Sequence, residues 1–300
     1  MATNRTVLVT GSSGYVGRRL VARLAERGTP VRAFVHRSRA DLPDGVVAVE
    51  GDVTDTTSLT RACEGIDVVV NLASVTADRK PPPGGYDRVN AEGPAALASA
   101  ARTAGVRRIV HLAGIDTTTG EPGPYLAGRR RGDAAVLASG VESVAILRPS
   151  IMFGGRDSAF VRALARLVRF SPAVPVPGDG TVRLQVVWVE DVVRCIMQLA
   201  DDMRPGQFPI GGPDQLTYDE VLDTIGSGLG KRRVRKVHLP VPVFSAQARV
   251  LSVLPSPPLT PAALELFASD NTTTPDAIEQ QFNFHPRGFA EHVRREGLYA

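Results

Sequence analysis

Thr6-Val7-Leu8-Val9-Thr10 runs directly into Gly11-Ser12-Ser13-Gly14-Tyr15-Val16-Gly17, and Leu20, Val21 and Leu24 follow at helical spacing. The first five residues read as a strand, while Val16, Leu20, Val21 and Leu24 read as the buried stripe of an amphipathic helix. Between the two sit three glycines at three-residue intervals. Gly11 permits the tight turn, Gly14 lets backbone come close to a pyrophosphate, and Gly17 lets the helix lie against the strand. Unpaired N–H groups at the helix start then face the phosphates, with Ser13, Tyr15 and Val16 in the same turn. Strand, glycine turn and helix together form a dinucleotide-binding signature and imply an α/β fold.

Working outward, strand and helix patterns alternate. Strands are predicted at 30–35, 46–50, 67–72, 108–112 and 143–147, with helices near 56–63, 89–103 and 125–138. Short apolar strands covered on both faces mean a doubly wound parallel sheet of the Rossmann type. Beyond Arg148-Pro149-Ser150 the pattern loosens, with prolines at 172, 175, 177, 205, 209 and 213. The expected division is therefore 1–150 for an NAD(P)-binding domain, its sheet completed by parts of 182–212, and 151–300 for a smaller mixed α/β lobe facing substrate or partner. Within that lobe, 185–189 and 207–210 read as short strands. Residues 217–229 read as a helix with Thr217 as N-cap and Glu220 completing a capping box.

Bulk properties narrow the function. The chain has 300 residues, 43% of them hydrophobic, enough for one large domain and a small lobe. A net charge of +4 is mild for a nucleic-acid binder. Two basic runs, Arg129-Arg130-Arg131 and Lys231-Arg232-Arg233 with Arg235 and Lys236, are either solvated edges or a docking surface for an acidic partner or anionic lipid. No aromatics interleave with them, which argues against single-strand nucleic-acid binding. Cys63 and Cys195 share no metal or disulfide spacing, so no metal site is expected and both read as buried small residues. With no basic-then-apolar leader and no apolar stretch of spanning length, a cytoplasmic protein is expected.

The cofactor site can be read strand by strand. At the end of the second strand, Val35 is followed by His36, Arg37, Ser38 and Arg39. No acid stands there to repel a 2′-phosphate, and Arg37 and Arg39 offer cationic forks for one, which favours NADP(H) over NAD(H). The alternative is that these residues simply open a solvated loop. Gly51-Asp52-Val53 follows the third strand, Asp52 being either a contact to the adenine or a turn residue. Leu72-Ala73-Ser74 ends the fourth strand beside Asn71, where backbone approaches the cofactor, and Asn90-x-x-Gly93 opens the next helix. Ala113 and Pro149 end the two strands beyond.

The glycine spacing, and Tyr125-x-x-x-Arg129 after Val110-His111-Leu112-Ala113-Gly114, resemble the extended and atypical short-chain dehydrogenase/reductases. Later motifs narrow the resemblance: Leu147-Arg148-Pro149-Ser150-Ile151-Met152-Phe153-Gly154, Gln185-Val-Val-Trp-Val-Glu-Asp191, Gly211-Gly212-Pro213 and Leu239-Pro-Val-Pro. Over nearly the whole chain the sequence is similar to the NAD(P)H-binding accessory subunit of respiratory complex I and its free-standing bacterial relatives. The resemblance implies tight NADPH binding, with Tyr125 as the acid/base and Arg129 where a lysine would clamp the nicotinamide ribose; Tyr125 taken alone reads equally as an ordinary core or cofactor-packing tyrosine. An arginine keeps the charge but cannot lend a proton, and Ala113-Gly114 replaces the usual polarising hydroxyl. Thr117, Thr118 and Thr119 lie nearby, on a loop.

Two functional classes follow: a structural or sensory nucleotide held beside a degraded acid/base set, with the small lobe contacting a partner; or a working NADP-dependent oxidoreductase or isomerase on a hydrophobic or quinone-like substrate through Tyr125 and Arg129. A nucleoside-sugar epimerase is a third, weaker fit. Segment 241–254 is apolar on one side, either filling the small lobe or facing a protein or membrane surface, which allows a peripheral membrane position. His111 reads as a packed core residue, Trp188 as a packing anchor, and Glu190-Asp191 as a helix cap.

Overall fold

A computed structural model describes residues 5–36, 42–81, 84–116, 121–243, 246, 260–266 and 269–299. Strands β1 (Val7–Thr10), β2 (Val31–Val35), β3 (Val47–Glu50), β4 (Val68–Asn71), β5 (Arg108–Leu112), β6 (Ser143–Pro149) and β11 (Gly206–Ile210) form one sheet. Its order is β11-β6-β5-β4-β1-β2-β3, and every pairing is parallel. The order reverses between β1 and β4, so the crevice at their carboxyl ends is the expected ligand position in an open α/β sheet. Helices cover both faces, which is why β1 and β4 are buried along their whole length.

On one face, α1 (Gly17–Glu26) and α6 (Val189–Asp201) bury Leu20, Val21, Leu24, Val192, Ile196 and Leu199 against the sheet. The other face is covered by α2 (Thr56–Cys63), α3 (Gly93–Thr103) and α4 (Pro124–Leu137), through Leu59, Leu97, Ala101 and Val136. Truncating a side chain as enclosed as Leu20 to alanine costs about 2–5 kcal/mol. Cys63 and Cys195 are buried free thiols in these two cores. Below the sheet, Arg108 is fully buried and clamps chain ends, donating to Leu199 O and Arg204 O at 2.8 Å and to Ser143 Oγ.

A second core lies among β7 (Met152–Phe153), α5 (Ala159–Phe170), β8 (Val174–Pro177), β9 (Arg183–Leu184), β12 (Leu216–Thr217), α7 (Tyr218–Gly228) and α10 (Phe289–Glu296). The capping box of Thr217 and Glu220 forms as the sequence suggests. Chain order and packing diverge after residue 150. Within the expected strand 185–189, β10 (Val187–Trp188) pairs with β7 outside the large sheet. Meanwhile α6, β11 and α9 (Ala277–Phe282), with Ile278 and Phe282, return to the large core. The two units are thus interleaved in sequence.

Their seam runs beside the glycine turn. Arg19 makes two hydrogen bonds to Asp157, at 2.8 and 2.9 Å, and Arg18 also pairs with Asp157. Glu190 pairs with Arg19 and Arg23, and the Asp191 carboxylate accepts the Arg287 backbone N–H at 2.8 Å. Glu190 and Asp191 occupy the first turn of α6, whose N-cap is Trp188 without a side-chain bond, so they act as cross-links there rather than as N-caps. Trp188 does anchor packing: the Arg287 guanidinium lies 3.8 Å over its ring. Among the described residues no helix is long and apolar enough to cross a membrane.

Candidate functional site

The glycine turn stands at the carboxyl end of β1. Gly11 has φ +66°, and a Cβ there would lie 2.7 Å from the Leu72 carbonyl, so only glycine lets β1 and β4 end side by side. Gly17 would drive a Cβ into the Gly11 carbonyl oxygen. Gly14 differs. It is exposed, its N–H bonds Gly11 O at 2.9 Å, and a Cβ there would meet only that oxygen, at 3.1 Å. Helix α1 begins at Gly17 with no side-chain cap and no acid in its first turn, so nothing repels an anion there, although the Arg18 N–H is already taken by Gly14 O at 3.1 Å. Val16 is buried and Ser13 exposed beside it. Tyr15 turns away, its hydroxyl donating to Gly154 O at 2.7 Å across the seam; burial pushes that hydroxyl up to about 12 against the opposing charge of Arg19.

At the carboxyl end of β2, His36 follows the strand and its Nε2 lies 3.4 Å from Asp52 Oδ2. The other Asp52 oxygen accepts from the Thr54 N–H and hydroxyl at 2.9 and 2.8 Å, and the backbone bond chiefly holds the carboxyl below its ordinary value. One Asp52 oxygen is thus bound within its own turn while the other lies beside His36. Val53 packs against the start of α3 near Gly93. Arg37, Ser38 and Arg39 lie outside the described residues, as do Thr117, Thr118 and Thr119.

Beyond β4 the chain runs Leu72-Ala73-Ser74 across the switch point. Ala73 N–H bonds Asn71 Oδ1 at 3.3 Å, and Ser74 Oγ donates to Asn90 Oδ1 at 3.1 Å. Asn90 also takes the Val75 N–H at 2.8 Å and donates to Val75 O at 2.9 Å. It does this from a π-helical turn, Arg88–Glu92, ahead of α3, a distortion the helical pattern does not announce. Arg129, one turn after Tyr125 on α4, reaches the same place: it donates to Ser74 Oγ at 2.7 Å and to Leu112 O at 3.1 Å. Its guanidinium thus sits at the carboxyl ends of β4 and β5. Ala113 continues β5 against β6, and Ile115 N–H bonds Pro149 O at 3.1 Å. Between them Gly114 has open space, with only Pro149 O at 3.9 Å from where a Cβ would stand. The neighbours in the basic run are paired elsewhere, Arg130 with Asp116 and Arg131 with Asp87.

Sequence reading missed a buried polar chain beneath this surface. Thr10 Oγ1 donates to Asn71 Oδ1 at 2.6 Å, and Asn71 Nδ2 meets His111 Nδ1 at 2.9 Å. His111 Nε2 meets Asp133 Oδ1 at 3.1 Å, and Arg148 donates to Asp133 Oδ2 at 2.7 Å. Since Asn71 Oδ1 is already an acceptor, its amide nitrogen faces His111, which fixes a neutral imidazole with its proton on Nε2. Burial lowers the His111 pKa despite Asp133. For Asp133, burial acts upward, but the His111 bond and the Arg129 and Arg148 charges together hold the carboxyl below its ordinary value. Tyr125, Arg129 and Asp133 recur every fourth residue on one face of α4, the signal that could have found Asp133.

Tyr125 itself is only 8% exposed. Its ring meets the Tyr86 ring edge-on at 5.3 Å, within a small apolar cluster of Ala77, Leu126 and Ala262. The covering piece is α8 (Pro261–Glu265), tied down where Thr260 Oγ1 donates to Ala77 O. Glu265 caps α4 from this distant segment, accepting the Leu126 N–H at 3.2 Å, and burial raises its carboxyl pKa. A Cβ at Gly123, which precedes α4, would meet the Glu265 carboxylate and make that side chain swing aside.

Comparison with known proteins agrees with this arrangement. Residues 7–211 match the model of the NAD dependent epimerase/dehydratase family. The chain is 30% identical over 260 residues to a ceramide reductase of Caulobacter vibrioides, covering 83% of this chain and 79% of that one. It is 27% identical over 256 residues to the mitochondrial NADH-ubiquinone oxidoreductase 40 kDa subunit of Neurospora crassa, covering 82% of this chain and 66% of the subunit. In fold it resembles the crystal structure of gox2253, with a TM-score of 0.76 at 22% identity over 97% of this chain and 96% of that one. With a phosphate turn at the switch point of a seven-stranded parallel sheet and a family match over most of its length, the chain belongs to the NAD dependent epimerase/dehydratase family, in its atypical short-chain dehydrogenase/reductase branch.

Proposed function

We propose that this protein holds NADP(H) across the carboxyl ends of β1, β2, β4, β5 and β6, and that the nucleotide serves a structural or sensory role. The observation that carries this reading is a contrast within one site. Gly14 leaves an open, anion-ready turn, while the Tyr125 ring is packed into a buried apolar cluster and Arg129 already bonds Ser74 Oγ and Leu112 O. Gly11, Ser13, Gly14, Val16 and Gly17 would cradle the pyrophosphate, with Tyr15 fixing the turn against the small lobe. Val35-His36 presents no carboxylate to a 2′-phosphate, and Arg37 and Arg39 would bind it. Asp52 and Val53 would border the adenine. Leu72, Ala73, Ser74, Ala113, Pro149, Tyr125 and Arg129 would border the nicotinamide half, Arg129 having N–H groups to spare for a ribose hydroxyl. When bound, a reduced nicotinamide supplies a hydride. Arg37→Ala tests the cofactor assignment: NADPH affinity should fall far more than NADH affinity, and an equal loss for both would refute the 2′-phosphate role.

One observation favours a second reading, an NADP-dependent oxidoreductase or isomerase on a hydrophobic or quinone-like substrate. Tyr125 and Arg129 share a helix face beside the apolar surface of Val75, Ala77, Tyr86 and Leu126, and one relative is named a ceramide reductase. Oxidation of bound NADPH by members of a panel of long-chain carbonyls and quinones would establish it; no oxidation over the panel would exclude those substrate classes.

A further inference from the structure

Where α5 ends, the small lobe exposes apolar and cationic side chains together. Phe170, the last residue of α5, is 75% exposed, with the Arg169 guanidinium 5.6 Å from its ring centroid. Beside it runs the second basic stretch. Lys231 caps the end of α5 by donating to Val168 O and to Arg169 O, and Val174 N–H bonds Arg235 O at 2.8 Å. The stretch continues into β13 (Lys236–Leu239), which pairs with β8 in parallel, Val237 opposite Pro175 and Leu239 opposite Pro177.

Strand alternation sorts these residues by face. Lys236 and His238 turn to α7, where they meet Asp219 and Asp223. Arg235, Val237 and Leu239 take the opposite face with Pro175 and Pro177. Val237 is 47% exposed, and Val241 and Val243 beyond it are exposed as well. Arg232, Arg233 and Arg235 are exposed, and among the described residues their side chains have no hydrogen bond or ion pair. Nearby, the Asp179 carboxylate accepts from the Thr181 N–H and hydroxyl at 3.0 and 2.6 Å.

We propose that this face, Phe170, Val237, Val241 and Val243 ringed by Arg169, Arg232, Arg233 and Arg235, docks the protein onto a bilayer surface carrying anionic lipid headgroups. Charge selects that occupant. A self-associating copy would bring like cations together. An acidic protein would satisfy the arginines but gives Phe170 no defined pocket. A membrane interface meets both demands, seating apolar side chains at the acyl boundary and cations among the headgroups.

The test is co-sedimentation of the full chain with phosphatidylcholine vesicles with and without phosphatidylserine. Binding should require phosphatidylserine, weaken in high salt, and fall at least about tenfold in the variant combining Arg232→Glu, Arg233→Glu and Arg235→Glu, a change of roughly 1.4 kcal/mol. Phe170→Ser should weaken it severalfold at unchanged charge. Unaltered circular dichroism and nucleotide affinity would show that each variant remains folded. Equal binding to both vesicle types, no binding to either, or binding to soluble polyglutamate but not to vesicles would overturn the proposal. So would indifference to both sets of substitutions.

Discussion

Arg129 donates a 2.7 Å hydrogen bond to Ser74 Oγ, joining the helix of Tyr125 to the loop that closes the switch point. The same guanidinium reaches Leu112 O, so its position is fixed from the loop after β4 and from the end of β5. Arg129→Met removes both bonds and the positive charge at the carboxyl ends of β4 and β5, where the proposed nicotinamide half would lie. A folded variant should lose about tenfold in NADPH affinity, roughly the 1–2 kcal/mol of one or two such bonds. Titration by nucleotide fluorescence checks this, and an unchanged affinity would remove Arg129 from the site.

The three glycines should separate by consequence. Gly17→Val sets a side chain on the Gly11 carbonyl and should lower Tm by about 5 °C or more, as overpacking against rigid backbone does. Gly14→Val meets only one oxygen, at 3.1 Å, and should leave Tm nearly unchanged while NADPH binding is lost. Thermal melts with and without NADPH distinguish the two. Intact binding in a folded Gly14→Val protein would refute the proposed phosphate turn.

Stability should depend on pH through His111. Its folded pKa lies below the ordinary value of about 6.5 because burial opposes the charge. As pH falls below that value the unfolded chain takes up a proton that the folded protein refuses, so stability is full above it and declines toward the folded pKa. The slope contributed is at most about 1.4 kcal/mol per pH unit. Between pH 7 and 5 the wild type should lose Tm faster than His111→Gln, and identical pH profiles would show that the buried imidazole does not refuse the proton.

Gly114 has room for a side chain, since only Pro149 O lies near, at 3.9 Å from where its Cβ would stand. Gly114→Ser should fold normally. Combined with Arg129→Lys, it should raise NADPH oxidation by the best carbonyl in a panel by about tenfold or more, in keeping with the worth of a placed donor. Activity in the wild type that the double substitution lowers would show that Arg129 and Gly114 form a working variant of the site.

The sequence carried most of the fold because its decisive signals are local. The glycine turn, the alternation of apolar strands with amphipathic helices, and the Thr217–Glu220 cap each lie within one short window, and all appear in the structure. What escaped reading joins distant segments. Glu265 caps α4 from 139 positions away, and the His111 chain draws on β1, β4, β5, α4 and β6. His111 looked like a core residue, and it is one, but its partners make it polar rather than merely packed. The turn at Asn90 was likewise hidden, because its side chain bonds Ser74 and Val75, fifteen or more positions away. Glu190 and Asp191 sit where caps would sit, and only the folded seam shows that Arg19, Arg23 and Arg287 claim them.

The central claim is a tightly held nucleotide that is not turned over. Its most direct test is the absorbance and fluorescence of the freshly purified protein in the reduced-nicotinamide band, followed by titration with NADPH and then NADH. The account predicts NADPH that co-purifies, exchanges slowly and resists oxidation by added carbonyls and quinones. Weak, freely exchanging nucleotide that is oxidised on adding a substrate would contradict it.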